Sequence, residues 1–292
     1  MAGSRNFLGP FRTVRLIRAG QTCQVWEAVD ERSKERVALK ALQPEKRNDK
    51  TEIAYLKHEY AVANSFDHEN IIRIDGFYTD RSVPFLAMEF NSGKNVKIQI
   101  RQNFEQILYF SKTIIETAAQ GLSYLNQQGW LHCDIKPDNL LIAENGAAKV
   151  IDFAISQKIR SGLSKLFGGK RSKQTQGTRS YMSPEQIRGQ GLSEQSDIYS
   201  FGCTIFEVLT KKPPFTAATP DELLMKHLRS SPPHASTINS NVTAELSELI
   251  RGMMSKKKEK RPSSFEEFLN LFRAVRPFRV APKLPSQETD EK

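Results

Sequence analysis

The chain has 292 residues, of which 38% are hydrophobic and 26% are charged, and these fractions exclude a wholly disordered or fibrous protein. Its net charge of +10 favours anionic partners but does not choose among nucleotides, acidic peptides, nucleic acids and anionic lipids. The 3 cysteines lack both the even count of a disulfide framework and the spacing of a zinc site, so reduced thiols are expected.

The apolar segments are too short for a bilayer. The longest one, 198–209, is interrupted by polar residues, and it predicts a buried helix. The first residues contain no apolar core of signal-peptide length, and Ala2 does not fit the myristoylation pattern. We therefore expect no transmembrane segment and a cytoplasmic location.

The first third of the chain has a strand-like pattern. Segments 12–17, 24–29 and 36–40 are rich in β-branched and apolar residues and are separated by turn residues. A helical spacing follows over about 51–64, and strands resume near Ile71 and Phe85. This order predicts an antiparallel sheet with one helix.

Beyond Asn91 the pattern becomes helical. One long apolar stripe ends at Gly129 and consists of Ile107, Phe110, Ile114, Ala118, Leu122 and Leu125. Two further helices are predicted to begin at Thr219 and Ser263, each with a glutamate three residues later. The predicted organisation is an N-terminal extension (1–10), a first lobe (11–90), a second lobe (91–278) and a flexible tail (279–292).

Two short clusters of basic residues occur in the second half of the chain. The clusters 211–212 and 256–258 are interpreted as solvated helix ends rather than as a binding patch, because cations are favourable near helix C-termini.

Six short segments carry the chemistry of the chain. Residues 131–141 read Leu-His-Cys-Asp-Ile-Lys-Pro-Asp-Asn-Leu-Leu, although Pro-Asp-Asn is also common in ordinary turns. The other five segments are Val37-Ala38-Leu39-Lys40 with a later Glu59, Val150-Ile151-Asp152-Phe153-Ala154, Gly177 to Glu185, Ser196 to Gly202, and Arg261.

These segments, in this order, resemble the eukaryotic-like (Hanks-type) serine/threonine protein kinase family over about 11–275, and the lack of accessory domains is similar to compact bacterial members. The resemblance implies an α+β, two-lobed fold with an antiparallel sheet and one helix in the N-lobe, a mainly helical C-lobe, and Mg-ATP between them. It implies transfer of the γ-phosphoryl group of ATP to a serine or threonine hydroxyl of a protein, and it leaves autophosphorylation open.

The resemblance also implies roles for individual residues. Asp134 would be the catalytic base and Lys136 would contact the γ-phosphate, while Asn139 and Asp152 would bind Mg²⁺, or Mn²⁺ in its place. Lys40 would contact the α- and β-phosphates and form an ion pair with Glu59. The remaining nucleotide-binding residues would be Ile17, Gly20, Val25, Ala38, Met88, Leu141 and the hinge residues Glu89 and Asn91.

Two positions assign the chain to a branch of the family. Lys136 and Thr178 resemble the serine/threonine branch, and the segment 178–185 resembles the element that docks a protein substrate. An ion pair between Glu185 and Arg261 is expected to anchor the fold.

The sequence departs from the family pattern at three places. The glycine-rich loop keeps Gly20 and Val25 but has Arg18 and Cys23 at two glycine positions. Cys133 replaces an arginine that pairs with a phosphorylated residue in many members, so little dependence on phosphorylation of Ser161, Ser164, Ser172 or Thr175 is expected.

The third departure is Ala154, which replaces a glycine. Together the three departures leave open an ATP-binding pseudokinase or scaffold module with little catalysis. A nucleic-acid-binding protein is supported by the net charge alone, so no specific nucleic acid is expected.

Overall fold

The computed structural model describes residues 7–159 and 178–284, which form two compact units. The first unit takes 7–92 together with Ile151–Ser156, and the second takes the remaining described residues. The described strands are β1 (Phe7–Leu8), β2 (Phe11–Ala19), β3 (Cys23–Asp30), β4 (Arg36–Leu42), β5 (Ile74–Asp80), β6 (Val83–Glu89), β7 (Trp130–Leu131), β8 (Leu140–Ile142), β9 (Ala148–Val150) and β10 (Gln157–Lys158). The described α-helices are α1 (Lys50–Ala63), α2 (Val96–Gln102), α3 (Phe104–Gln127), α4 (Pro184–Arg188), α5 (Glu194–Thr210), α6 (Pro220–Arg229), α7 (Ala244–Met253) and α8 (Phe265–Ala274).

The first unit is built on an antiparallel sheet with the strand order β1-β2-β3-β4-β6-β5. Side chains alternate between its faces, and one face is covered by a buried apolar cluster. Members of this cluster are Phe11, Ala28, Val37, Leu39, Ala41, Val83, Phe85 and Ala87. The opposite face is therefore available for residues with other tasks.

Helix α1 is the α-helix of the first unit within the described residues. Its N-cap is Asp49, whose carboxylate accepts hydrogen bonds from the backbone N–H groups of Thr51 and Glu52. Residues 151–156 join this unit because Phe153 is fully buried and packs edge-on against Phe66, with ring centroids 5.9 Å apart. This short segment is thereby fixed next to the helix.

The second unit is organised around α5, whose residues 196–210 are all buried. The buried helix predicted over 198–209 is confirmed. Gly202 allows the close packing of α5, since a Cβ there would lie 2.9 Å from Cβ of Met253 and 3.1 Å from Cγ of Met254. Helix α3 carries the predicted apolar stripe, and the positive φ of Gly129 follows its end.

The structure differs from several predicted boundaries. Phe7 and Leu8, assigned to an N-terminal extension, pair with β2, and residues 279 and 280, assigned to the tail, hydrogen-bond to Asn241. The N-cap of α8 is Ser264 rather than Ser263, because the Ser264 hydroxyl accepts from the N–H of Glu267. The Glu267 carboxylate in turn accepts from the N–H and hydroxyl of Ser263. The unit boundary lies after Ser92 rather than after residue 90.

The predicted α+β fold is confirmed in its main features: a sheet with one α-helix is followed by a mainly helical unit. Among the described helices, none combines the length and the apolar run that a membrane crossing would require.

Candidate active site

The predicted pair of Lys40 and Glu59 is present in the first unit. Lys40 Nζ on β4 donates to Oε2 of Glu59 on α1 at 2.6 Å and to Oδ1 of Asp152 at 3.1 Å. The Glu59 side chain is 1% exposed, whereas that of Asp152 is 36% exposed. One ammonium is therefore shared by a buried carboxylate and a more accessible one.

The surroundings favour the charged form of Lys40. Burial alone would lower the pKa of Lys40, but the carboxylates of Asp152 and Glu59 outweigh it and raise this pKa above its ordinary value. Burial raises the pKa of Glu59 against the opposing pull of Lys40. The ammonium thus stays protonated at neutral pH.

Asp152 has an unusual backbone conformation. Its φ is 71°, in the left-handed region that residues with a Cβ seldom adopt. Such a conformation persists where its surroundings hold it, and the next residue, Phe153, is 0% exposed. The same backbone brings the carboxylate of Asp152 towards Lys40.

Three predicted nucleotide-binding residues share the sheet face that carries Lys40. In the strand register Val25 is opposite Lys40 and Ala38 is opposite Met88, and Ala38 lies two residues before Lys40 on β4. Ala38 and Met88 are buried, at 7% and 9% exposure. The sheet thus places small and apolar side chains beside the ammonium.

The other nucleotide-binding candidates lie in different settings. Ile17 lies in an irregular part of the β2–β3 pairing and is 46% exposed. Gly20 lies in the tight turn after β2, where its N–H donates to the carbonyl of Cys23 at 2.8 Å. Glu89 ends β6 and accepts from the N–H of Arg73 at 3.0 Å, and Asn91 follows it within the first unit. Leu141 belongs to the second unit, on β8.

The predicted catalytic loop lies in the second unit between β7 and β8. Lys136 Nζ donates to Oδ2 of Asp134 at 2.6 Å, and the Asn139 amide donates to the same oxygen at 3.1 Å and to the Asp134 carbonyl at 2.8 Å. The three predicted residues therefore form one hydrogen-bonded group. The amide oxygen of Asn139 takes no part in these bonds.

Two residues outside the predicted site hold the backbone of this loop. Asp197, in the first turn of α5, accepts from the N–H of His132 at 2.7 Å and from that of Cys133 at 2.9 Å. The Gln186 amide donates to the carbonyl of Cys133 at 2.8 Å. Sequence analysis assigned neither role. An aspartate at the start of an apolar helix was the available signal for Asp197.

The expected ion pair of Glu185 and Arg261 is present as a two-bond contact, with distances of 2.7 and 3.1 Å. The Arg261 side chain is 0% exposed, and it also donates to the carbonyls of Gln195 and Ser255. Burial would raise the pKa of Glu185, but Arg261 more than compensates and lowers it. This pair anchors α4 to the residues before α8.

The cluster 256–258 is not simply a solvated helix end. Lys256 Nζ donates to the Tyr199 hydroxyl at 3.0 Å and lies 4.4 Å from the centroid of the Phe215 ring. Burial lowers the pKa of Lys256 to about 8. The expectation was wrong for this residue because the lysine stem reaches into an aromatic pocket.

The fully buried His227 lies in the same aromatic pocket. Its Nδ1 is 3.0 Å from the Tyr199 hydroxyl, and its ring packs against Phe215 with centroids 5.0 Å apart. Burial, followed by the charge of Lys256, lowers the pKa of His227 to about 3. The imidazole is therefore neutral in the folded protein at physiological pH.

The chain matches the protein kinase domain family over residues 11–271. The chain belongs to the protein kinase family. This match confirms the predicted family, and the geometry above describes the kinase domain.

Curated relatives carry the names of serine/threonine-protein kinases, the enzyme class predicted from the sequence. A probable serine/threonine-protein kinase of Streptomyces coelicolor is 28% identical over 91% of this chain and 39% of its own length. A probable serine/threonine-protein kinase of Clostridium acetobutylicum is 29% identical over 87% of this chain and 38% of its own. Serine/threonine-protein kinase PknB of Mycolicibacterium smegmatis is 29% identical over 83% of this chain and 39% of its own length. The chain thus spans about two fifths of the length of these relatives.

Some predicted features lie outside the described residues. These are the phosphorylation candidates Ser161, Ser164, Ser172 and Thr175. Within the described ranges, no three His, Cys, Asp or Glu side chains converge as a metal site.

Proposed function

We propose that this kinase domain transfers the γ-phosphoryl group of ATP to a serine or threonine hydroxyl of a protein, with Asp134 as the base. The observation that carries the proposal is the hydrogen-bonded group of Asp134, Lys136 and Asn139. A carboxylate within reach of an approaching hydroxyl can accept its proton. The names of the relatives support serine and threonine as acceptors.

Lys136 has a second task in this proposal. Its ammonium lies 2.6 Å from Asp134, next to the proposed base. Because an ammonium has three N–H donors, it could also donate to a γ-phosphate oxygen. Transfer of a phosphoryl group moves negative charge onto the transferred oxygens and the leaving oxygen, and a positioned cation lowers the energy of that state. Asp134 would receive the hydroxyl proton.

The first unit would bind the nucleotide. The raised pKa keeps Lys40 cationic, as a residue that contacts the α- and β-phosphates must be, and Glu59 fixes its direction. On the same sheet face, Val25, Ala38 and Met88 would contact the adenine, with Ile17 and Gly20 of the same unit. Leu141, on β8 of the second unit, is the remaining candidate. Backbone groups from Glu89 to Asn91 would form hydrogen bonds with the adenine ring.

The proposed metal ligands suit Mg²⁺. Asp152 offers a carboxylate that is 36% exposed, and Asn139 offers an amide oxygen, so both donors are of the oxygen type that Mg²⁺ and Mn²⁺ prefer. Mg²⁺ is commonly held by one or two protein carboxylates together with substrate phosphates. When bound, the ion would neutralise charge on the β- and γ-phosphates.

One observation favours the alternative of an ATP-binding pseudokinase. Cys23 and Arg18, which stand where the family pattern has glycines, lie within the paired strands β3 and β2, and a residue with a Cβ has less backbone freedom than glycine. A scaffold of this kind would bind ATP without transferring phosphate.

The test is phosphate transfer from radiolabelled Mg-ATP to a generic protein acceptor and to the kinase domain itself. Asp134→Asn is expected to lower kcat by about 100- to 10,000-fold while ATP binding persists. Asp138→Asn makes the same chemical change in the same loop and should leave kcat within about twofold of wild type. Equal transfer by wild type and Asp134→Asn would refute the proposal, and ATP binding without transfer by wild type would support the pseudokinase.

A further inference from the structure

The backbone just before Asp134 is strained. Cys133 has a φ of 67°, in the left-handed region, and its side chain is buried at 4% exposure. A residue with a Cβ pays a conformational cost there, and such a conformation persists only where its surroundings hold it. The contacts of Cys133 therefore contribute to the placement of Asp134, beside the direct bonds that Asp134 forms with Lys136 and Asn139.

Both peptide groups of Cys133 are held by side chains. On the amino side, Asp197 accepts from the N–H of Cys133 at 2.9 Å and from the preceding N–H, that of His132, at 2.7 Å. On the carboxyl side, the Gln186 amide donates to the Cys133 carbonyl at 2.8 Å. That carbonyl belongs to the same planar peptide as the N–H of Asp134. Gln186 thus fixes the peptide plane from which the Asp134 side chain projects.

The Gln186 amide has little freedom to turn. Its Oε1 accepts from the N–H and the hydroxyl of Ser183, both at 2.9 Å, in a capping box at the start of α4. With the oxygen held, the nitrogen is directed at Cys133. The neighbouring Glu185 is tied to Arg261, so the short helix is itself anchored.

The cysteine side chain offers no charged alternative. Its thiol lies 3.7 Å from the Leu131 carbonyl, and burial raises the pKa of Cys133 well above its ordinary value. A neutral buried thiol cannot pair with a phosphate group. Gln186 is therefore the polar side chain that joins α4 to the carbonyl of this loop residue.

We infer that Gln186 is a positioning residue for Asp134. Gln186 holds the catalytic loop through its neutral amide, and this contact needs no phosphate group. The inference rests on the proposed function, because it deepens the role given there to Asp134.

The test compares two variants that carry the same chemical change. Gln186→Glu keeps the shape and the acceptor towards Ser183 but replaces the donor with a carboxylate oxygen facing the Cys133 carbonyl. Gln190→Glu, on an exposed residue just beyond α4, introduces the same charge nearby and serves as the control. All proteins are treated with a phosphatase before assay, so that no phosphorylated residue contributes.

We expect Gln186→Glu to lower kcat by about 10- to 100-fold, since a small displacement of a catalytic group has effects of this size. KM for ATP should stay within about twofold of wild type, because the change removes positioning of the base and not nucleotide binding. Hydrogen exchange of the amides of 132–135 should become faster in this variant. Gln190→Glu should match wild type in all three measurements.

A pH series separates positioning from general structural damage. A carboxyl group facing a carbonyl oxygen favours its protonated form, which regains an O–H donor. The kcat of Gln186→Glu relative to wild type should therefore rise as the pH falls from 8 to 6. A ratio that stays constant would overturn the inference, as would an unchanged kcat or unchanged hydrogen exchange.

The two proposals fail in different ways. A wild type that transfers phosphate, with Gln186→Glu equally active, contradicts the positioning role alone. A wild type without any transfer contradicts the proposed function. In that case hydrogen exchange of 132–135 in Gln186→Glu still decides whether Gln186 holds the loop.

Discussion

Lys40 Nζ lies 2.6 Å from Oε2 of Glu59, and this contact joins the central strand β4 to the helix α1. With Asp152 also 3.1 Å away, two carboxylates share one ammonium, so the group has a net charge of about −1 when all three are ionised. A bound divalent cation would change the net charge of this group from about −1 to about +1. The geometry is therefore consistent with the metal role proposed for Asp152.

Replacing Glu59 with glutamine should lower kcat/KM for ATP. The Lys40 ammonium would lose its buried partner and keep Asp152, so its direction would follow the more exposed carboxylate. We expect kcat/KM for ATP to fall by about 100-fold. Steady-state kinetics over a range of ATP concentrations measures this ratio. Glu52→Gln, in the first turn of the same helix, is the control and should change stability by less than about 1 kcal/mol without changing kcat/KM. Equal kinetics for both variants would contradict the role of the pair.

Restoring glycine at positions 18 and 23 should lower KM for ATP, because a backbone without Cβ atoms can approach phosphate more closely. Both residues lie in paired strands, so each change should also cost about 0.5–1 kcal/mol of folding stability. Thr13→Gly, earlier on β2, should show the stability cost with KM unchanged. An unchanged KM in the double variant would show that these departures are functionally silent.

Acid should destabilise the second unit through His227. Its pKa is lowered to about 3 from an ordinary value of 6.5, so the unfolded chain binds the proton first. The stability that depends on the neutral imidazole is fully present above pH 6.5 and is lost as the pH falls towards 3. At pH 5 the loss is about 2 kcal/mol.

The variant His227→Asn lacks this titration. Its loss of unfolding free energy between pH 7 and pH 5, measured by urea titration, should be about 2 kcal/mol smaller than that of wild type. Between pH 7 and pH 8 the two proteins should change equally. Parallel losses between pH 7 and pH 5 would show that His227 does not titrate in this way.

Motifs and periodicity predicted much of the molecule. The pairs Lys40–Glu59 and Arg261–Glu185 follow from the resemblance to the kinase family, and the apolar stripe of α3 follows from the helical period. Boundaries were less exact: the first strand after α1 begins at Ile74 rather than Ile71, because the β-branched pair Ile71 and Ile72 resembles a strand start, whereas Ile71 forms an isolated bridge.

The supports of the catalytic loop were not predicted. Asp197 and Gln186 bond to backbone groups of Cys133 that are 64 and 53 residues away along the chain. Every residue type except proline offers the same backbone N–H and C=O groups. The sequence therefore does not show which backbone group a side chain will bond to. The spacing of Ser183 and Gln186 indicates a capping box, but not the third hydrogen bond.

The membership of Ile151–Ser156 in the first unit has a consequence for protein engineering. A truncated chain that ends at Ser92 would lack Asp152, and it would also lack Phe153, whose ring packs against Phe66. A chimaera that exchanges the first unit with that of a relative must therefore transplant two stretches of chain. The same holds in evolution, where the first unit cannot be inherited as a single uninterrupted module.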